Sequence, residues 1–579
     1  FDLKTSMHIE NIHMLANHSI KVSTGLRICT RTYSQKIAPK NATNKAKKLQ
    51  LASKMTSKKN DKKRSPLNPT PFHYGKYGGL KENEDEVIEK TTKMVQKIAD
   101  FEQLRILPEV RDVVKTIISQ ESILNNRNFI ASNRHETRLE HQKEKRGLEL
   151  DTLKPSPIQI ASVKKLSKGL MDPKLQIHTI AAETGSGKTM AYLIPLLDFL
   201  KRQEVESPEN WEIMKNKAII RSVILVPTHE LVEQIYKTVL QAESLLKVNA
   251  FKWDTGSSYQ GLVEKLKNRI DILVTTPGKL LSLFNIRMLN RPDRMLSQVK
   301  FVVLDEADTL MDQSWAEDTY KTIKTMPNAS HLLFCSATIP NEFNKTMERL
   351  FPTAQTITTP RLHRLPHTID FKTIDAALNP YKGSKIKALA QALYAIARDG
   401  TEPGYEKRCI VFVNEKKEVA KVVEKLAGQY GHDCVGLTGD DSVEQRLAKI
   451  SAFINPPRRL EEIEDESSKL HDDTQELQKI SIPGSNIVIQ SSQQAGQQKR
   501  LNSLKIVVTT DLMARGLNFQ GVRNVILYDV PKTSIDLVHR AGRTGRMRQS
   551  GRVFMITDKS TKSWAKAIPK IVKNNIPLS

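Results

Sequence analysis

Cysteine is scarce in this 579-residue chain: there are four, Cys29, Cys335, Cys409 and Cys434, and no two are close in sequence. That spacing excludes a disulfide-dense secreted scaffold and any CxxC zinc site. Cys335 and Cys409 fall in apolar runs, where a free thiol is a small, inert core side chain. Long apolar runs are missing too. The best, Ala191 to Leu200, contains Asp198 and falls far short of the ~20 residues a membrane-spanning helix needs. Acidic residues are absent between Met14 and Asn60. Residues 1–80 hold 16 Lys/Arg against three Asp/Glu (Asp2, Glu10, Asp61), a net +13 of the chain's +26. What is present, 39% apolar and 27% charged residues, suits folded domains. The length exceeds one compact core, so at least two domains are expected. The positive field favours a polyanionic partner, nucleic acid first.

The acid-poor, Arg- and Ser-containing start reads as an organelle-targeting segment. Arg31-Thr32-Tyr33-Ser34 resembles the site cut by the mitochondrial processing peptidase, which sets the segment at 1–33. Residues 34–98 read as a basic, largely disordered arm. From Val87 the pattern turns helical and charged, and Phe101, Leu104, Leu107, Val110 and Val113 continue it at helical spacing. An insertion is expected at about 117–150. Apolar runs then alternate with helical segments: Ile177–Ala182, Ser222–Val226, Ile270–Thr275, Phe301–Leu304 and His331–Cys335. After a linker, Thr358 to Pro366, they resume as Arg408–Val413, Asp433–Leu437, Leu504–Thr509, Asn524–Tyr528 and Gly551–Ile556. Alternation of this kind predicts α/β domains with parallel sheets flanked by helices. The boundaries fall at 99–365 and 366–579, the second with a polar insertion at about 456–503 that has no apolar period. Most histidines, His432 among them, read as surface residues.

Three motifs carry chemistry. Ala182-Glu183-Thr184-Gly185-Ser186-Gly187-Lys188-Thr189 follows a strand and opens a helix. Its glycines let backbone N–H groups turn toward phosphates. Lys188 supplies charge for the β/γ-phosphates, and the Thr189 hydroxyl is a ligand for Mg²⁺. Asp305-Glu306-Ala307-Asp308 follows the run Phe301–Leu304. Its first carboxylate suits Mg²⁺, and its second can orient or deprotonate water. His539-Arg540-Ala541-Gly542-Arg543-Thr544-Gly545-Arg546 offers fork-shaped donors. They serve either a triphosphate, delivered when two lobes close, or an RNA backbone.

Together these motifs resemble the DEAD-box family of ATP-dependent RNA helicases, from Phe101 to about Gly551. The resemblance implies two tandem RecA-like domains, RNA-dependent ATPase activity, ATP and Mg²⁺ as cofactors, and RNA as partner. Pro155-Ser156-Pro157-Ile158-Gln159 is similar to the Q motif, which implies that Gln159 reads adenine, with Phe101 as the upstream aromatic of that pocket. Pro227-Thr228-His229-Glu230-Leu231 and Thr276-Pro277-Gly278-Lys279 resemble two RNA-contacting motifs, and Gln445 and Arg446 a third. Ser336-Ala337-Thr338 resembles the segment that couples hydrolysis to lobe movement, with Asp308, His539 and Arg540 as its partners. Thr509-Thr510-Asp511 through Ala514-Arg515-Gly516 resembles a motif in which the threonines contact RNA, and Asp511 and Gly516 the nucleotide. Arg543 and Arg546 are implied to stabilise the transition state.

The departures fall mainly on RNA contacts. His229 and Lys279 stand where the family has arginine, Thr255-Gly256-Ser257-Ser258 where it has a glycine pair, and Asn518 where it has an acid. Phe101 lies farther from Gln159 than the family pattern has it. Intact ATPase chemistry with unusual RNA handling is the expectation. With its targeting segment, the chain is similar to mitochondrial DEAD-box helicases of budding yeasts. That implies the mitochondrial matrix, mitochondrial ribosomal RNA and large ribosomal subunit precursors as location and partners. Two rivals stand: an ATP-gated RNA clamp or assembly scaffold with little unwinding, and a DNA-directed translocase.

Overall fold

The computed structural model describes residues 71–75, 79–81, 85–121, 153–287, 289, 291–462, 479–481, 488–490, 504–514, 519–546 and 550–578. The targeting segment, much of the arm and most of both insertions lie outside these residues.

Two parallel sheets organise the described chain. The first holds β1 (Gln176–Ala181), β2 (Ile220–Leu225), β3 (Ala250–Trp253), β4 (Ile270–Thr275), β5 (Phe301–Asp305), β6 (His331–Ser336) and β7 (Gln355–Thr358). Their order is β3-β4-β2-β5-β6-β1-β7, and every pairing is parallel. The second sheet holds β8 (Ile369–Asp375), β9 (Lys407–Phe412), β10 (Cys434–Leu437), β13 (Leu504–Thr509), β14 (Asn524–Leu527) and β15 (Gly551–Thr557). It runs β10-β13-β9-β14-β15-β8, again all parallel. The central strands are apolar because helices cover both faces, so neither face reads as polar. Each sheet accordingly separates two apolar clusters.

This topology positions the motifs. In the first sheet, β5, β6 and β1 are adjacent, so the loops after them emerge side by side at their carboxyl ends. In an open α/β sheet, ligands bind at that edge. In the second sheet, the loops after β13, β9 and β14 gather in the same way.

Three expectations change. The arm drawn as 34–98 is shorter: Asp85–Gln96 is a helix, and Met94, Val95 and Ile98 pack on the first lobe's core. Tyr74 and Leu80 are buried as well. Isolated apolar anchors among polar neighbours hardly change a composition average, which concealed them. Within the expected insertion at 456–503, β11 (Lys479–Ser481) pairs antiparallel with β12 (Val488–Gln490). His432 is not a surface residue but is buried, its ring bonded to the Ala390 carbonyl. The apolar runs are borne out as strands, whereas β3, β7 and β8, short or at an edge, carried too weak a pattern. Cys335 and Cys409 are buried, and burial pushes both thiols up, as their inert reading requires.

The opposite end of the first sheet is held by charge. Asp271, fully buried, accepts from Arg221 at 2.8 Å, from Arg269 at 3.1 Å and from the Asn249 N–H at 2.8 Å. Arg221 and Arg269 also lie over the Trp211 ring, at 4.8 and 4.3 Å. Removing one partner of such a pair leaves an uncompensated buried charge. Asp271→Ala should therefore destabilise the first lobe by roughly 3–5 kcal/mol. The check is its urea unfolding midpoint, with site residues at the far sheet edge left intact.

Candidate active site between the two lobes

The phosphate-type loop leaves β1 and enters the helix Lys188–Glu206. Gly185 (φ +75°) and Gly187 (φ +87°) take left-handed conformations that a side chain would strain. The Lys188 ammonium donates to the Ala182 and Glu183 carbonyls, each at 3.1 Å, and the Ser186 hydroxyl to the Glu183 carbonyl at 2.7 Å. The helix Pro157–Leu166 starts with a capping box in which Gln159 accepts from the Ser156 N–H at 2.8 Å. Its amide nitrogen then reaches the Gly187 carbonyl at 3.4 Å, so the Q-motif-like segment abuts the loop.

Asp305 ends β5 against this loop. It accepts from the Tyr192 hydroxyl at 3.0 Å and from the Glu306 N–H at 2.9 Å, and Tyr192 also bonds Thr189. Burial, and next the Glu306 charge, raise the Asp305 carboxyl, while Lys188 opposes them. Glu306 has φ +51°, rare for a side-chain-bearing residue, is only 6% exposed, and keeps one carboxylate oxygen without a partner. A strained turn and an unsatisfied buried oxygen together mark a group held for use rather than for stability.

Asp308 joins the lobes. One of its oxygens accepts from the Thr338 hydroxyl at 2.7 Å and lies 3.2 Å from His539 Nε2 in the other lobe. Thr338 N–H bonds the Ser336 hydroxyl at 3.2 Å. Glu306, Asp308 and His539 are close enough to hold a cation, but these hydrogen bonds already explain Asp308 and His539.

The arginines divide their work. Arg540 grips both Asp511 oxygens, at 2.6 and 2.7 Å, and also the Asn414 side chain, so it works inside the second lobe. Arg543, 2% exposed, donates to the His539 and Ala514 carbonyls at 2.9 and 3.0 Å. Arg546 donates to the Gly542 carbonyl at 2.9 Å and lies on the phosphate-type loop, where a Cβ on Gly185 would stand 3.0 Å from its Cγ. Burial, and next the Arg543 charge, depress the Arg546 guanidinium, and Glu306 partly offsets them.

The expected RNA residues form a second group. Thr228 and Thr276 cap the helices His229–Leu246 and Pro277–Ser282, beside the buried Pro227 and Pro277 and the exposed Gly278. His229 is half-buried, and burial lowers its imidazole, so it is uncharged at neutral pH. Lys279 lies 4.8 Å over Trp253, and Arg446 of the second lobe pairs with Glu230 of the first at 2.9 Å. Thr510 is half-exposed.

Two placements correct the sequence reading. Phe101 is 0% exposed inside the first lobe's core and presents no ring face to adenine. Thr509 is buried in β13 with its hydroxyl on the Leu437 carbonyl at 3.3 Å and leaves no exposed group for an RNA contact. Gly516 lies outside the described residues. Tyr192, Asn414 and Trp253 were missed, because only the fold brings them to the motifs, and Glu230, inside a quoted motif, had no role assigned. The i, i+3 spacing of Thr189 and Tyr192 was the one local hint.

The lobes interlock at Gly542, where a Cβ would lie 1.8 Å from the Thr184 hydroxyl. Gly542→Ala should force the lobes apart and cut RNA-stimulated ATP hydrolysis by at least roughly tenfold, with each lobe still folded. Steady-state ATPase assays and a thermal melt check both halves of that statement.

Family comparisons agree with this geometry. A DEAD/DEAH box helicase family model matches residues 156–346, and a helicase conserved C-terminal domain model matches 465–548. The chain is 58% identical over 549 residues to a mitochondrial ATP-dependent RNA helicase, MRH4, of Vanderwaltozyma polyspora, covering 93% of this chain and 97% of the relative. It is 57% identical over 544 residues to MRH4 of Saccharomyces cerevisiae, covering 93% and 92%. The solved structure of Mss116p bound to single-stranded RNA and AMP-PNP shares the fold, with TM-score 0.54, 17% identity, and 88% of this chain and 80% of that one covered. With its two lobes, its ordered motifs and these relatives, the chain belongs to the DEAD-box family of ATP-dependent RNA helicases.

Proposed function

We propose that the interlobe cleft hydrolyses ATP with Glu306 positioning the attacking water, and that the chain uses this cycle to remodel mitochondrial ribosomal RNA. The observation that carries the first half is Glu306 itself, strained, buried and with one oxygen unpartnered beside the phosphate-type loop. Lys188 exchanges its two loop carbonyls for phosphate oxygens, and the loop amides orient them. Thr189 and Asp305 form an all-oxygen donor pair, and the unneutralised Asp305–Glu306 neighbours suit a hard divalent cation. These oxygens would hold Mg²⁺, which would supply charge neutralisation for a bound triphosphate. Arg546 packs on the same loop from the second lobe, with Arg543 beside it, and both stabilise charge that develops as the terminal phosphate leaves. Gln159, on the loop's other flank, serves adenine selection. Because Gly542 and Arg546 pack on the loop, the lobes must part to admit a nucleotide.

His229, Lys279, Arg446 and Thr510 line the RNA path in this reading. Two of them are engaged by protein, Lys279 on Trp253 and Arg446 on Glu230, and His229 is uncharged. That observation favours the second reading, an ATP-gated clamp that retains RNA with little unwinding. The mitochondrial matrix is supported by the relatives' names and by the basic segment 1–33. A role on large ribosomal subunit precursors extends the same reading.

Glu306→Gln should lower RNA-stimulated ATP turnover by about 10²–10⁴-fold while ATP-dependent RNA binding persists. Wild-type-like turnover would sink the role given to Glu306. A strand-displacement assay beside a filter-binding assay separates helicase from clamp: retention without displacement supports the clamp. Crosslinking in mitochondria, followed by sequencing of the bound RNA, tests the substrate. Recovery of messenger or transfer RNA without ribosomal RNA would overturn it.

The RNA path also has a pH signature. Its lowered imidazole keeps His229 neutral at neutral pH, and protonation in acid adds a positive charge facing phosphate. RNA affinity should therefore rise between pH 7.5 and pH 5.5 by roughly two- to fivefold more in the wild type than in His229→Gln. Parallel binding titrations at fixed salt provide the check.

A further inference from the structure

The linker between the lobes turns at His363, whose φ is +62°. On one side, Leu362 is buried in a cluster of the first lobe, and on the other, Leu365 in a cluster of the second. A left-handed side-chain-bearing residue at such a crossing is strained and persists only where neighbours hold it. His363 is 4% exposed, and its Nε2 and its carbonyl each hold a partner. Its Nε2 accepts the Ile339 N–H at 3.0 Å, the residue directly after Thr338. Its carbonyl accepts the Leu578 N–H at 3.0 Å, near the end of the second lobe.

A closed circuit of bonds surrounds this contact. The Ile339 carbonyl accepts the Lys81 N–H at 3.0 Å, and the Phe72 N–H donates to the Pro577 carbonyl at 2.8 Å. Tyr74, between them in sequence, packs on Trp564 with its hydroxyl on the Pro531 carbonyl at 2.7 Å, while Leu80 bridges Pro340. Ile339 is therefore held on both sides, by His363 of the linker and by Lys81 of the N-terminal segment. Flanking His363, Arg361 and Arg364 act electrostatically on Glu183 of the phosphate-type loop. Burial depresses the His363 imidazole to about 4, which keeps Nε2 an acceptor at neutral pH.

We propose that His363 is a positioning residue that ties the Ser336-Ala337-Thr338 segment to the second lobe, so that RNA-driven closure sets the Thr338–Asp308–His539 relay. Its bond to Ile339 fixes the residue after Thr338, and its bond to Leu578 makes that position depend on where the second lobe lies. A buried acceptor is required, because an Ile339 N–H left unbonded in this setting disfavours the closed arrangement.

The test uses the full chain and compares His363→Phe, which keeps bulk and loses the acceptor, with His363→Gln, whose amide oxygen reaches the same N–H. The readouts are RNA-free ATPase, the fold stimulation by RNA, and interlobe fluorescence transfer with RNA and a non-hydrolysable ATP analogue. In His363→Phe, RNA stimulation and the closed fraction should fall roughly five- to tenfold, with RNA-free turnover within about twofold of wild type. His363→Gln should recover most of both. Leu578→Pro removes the other N–H and should mimic His363→Phe, and it decides the matter alone if His363→Phe does not fold. Equal impairment of the Gln and Phe variants, or wild-type stimulation in both His363→Phe and Leu578→Pro, overturns the proposal. Loss of RNA-free turnover to the level of Glu306→Gln in any of them also overturns it, since that places the defect in hydrolysis itself.

Discussion

One buried carboxylate, that of Asp308, bonds groups from both lobes. It belongs to the strand-end motif of the first lobe, accepts the Thr338 hydroxyl from a neighbouring strand end, and meets His539 from the second lobe. The three groups are buried, so each lost bond leaves a polar atom that water cannot satisfy. Two rigid sheets can be brought to one relative position by so few bonds because their carboxyl ends present the loops together. Without parallel strands β5, β6 and β1 side by side, Asp308, Thr338 and the phosphate-type loop would not share an edge.

The electrostatics around that edge are uncomfortable by construction. Asp305 and Glu306 are adjacent buried acids with Lys188 as a nearby cation, and the buried Arg543 stands beside the partly exposed Arg546. Each set is unfavourable alone, and Glu306 partly offsets Arg546 across the cleft. Glycines make the approach possible: side chains at Gly185 or Gly542 would occupy space that Arg546 and Thr184 fill. Charges spent on one another inside a lobe, such as Arg540 on Asp511, instead set the shape of the second lobe's face. The Arg221–Asp271–Arg269 group does the corresponding work at the far end of the first sheet.

Much of the site was legible because its chemistry is written in contiguous residues after apolar runs. A loop of glycines before Lys188, an acidic tip after Phe301–Leu304 and an arginine-rich turn after β14 are local along the chain. Residues that support them are not. Tyr192 orders Asp305, Asn414 orders Arg540, and Trp253 carries Lys279, and none of these pairs is set by spacing. Phe101 and Thr509 show the reverse error, since a motif position does not say whether a side chain faces solvent. The centre of a parallel sheet turns Thr509 inward, and the helix Pro108–Glu121 closes over Phe101's neighbourhood as part of the core.

The sequence by itself determined two α/β domains, a nucleotide loop, an acidic strand tip and a basic N-terminal region. Periodicity, glycine placement and charge are properties of short stretches, and they survive without any fold. Only the tertiary structure decided which charges oppose one another, which arginine is turned inward, and that Lys81, His363 of the linker and Leu578 converge behind Thr338. Those contacts join residues hundreds of positions apart. Their energies depend on burial and bond geometry, which no local pattern contains.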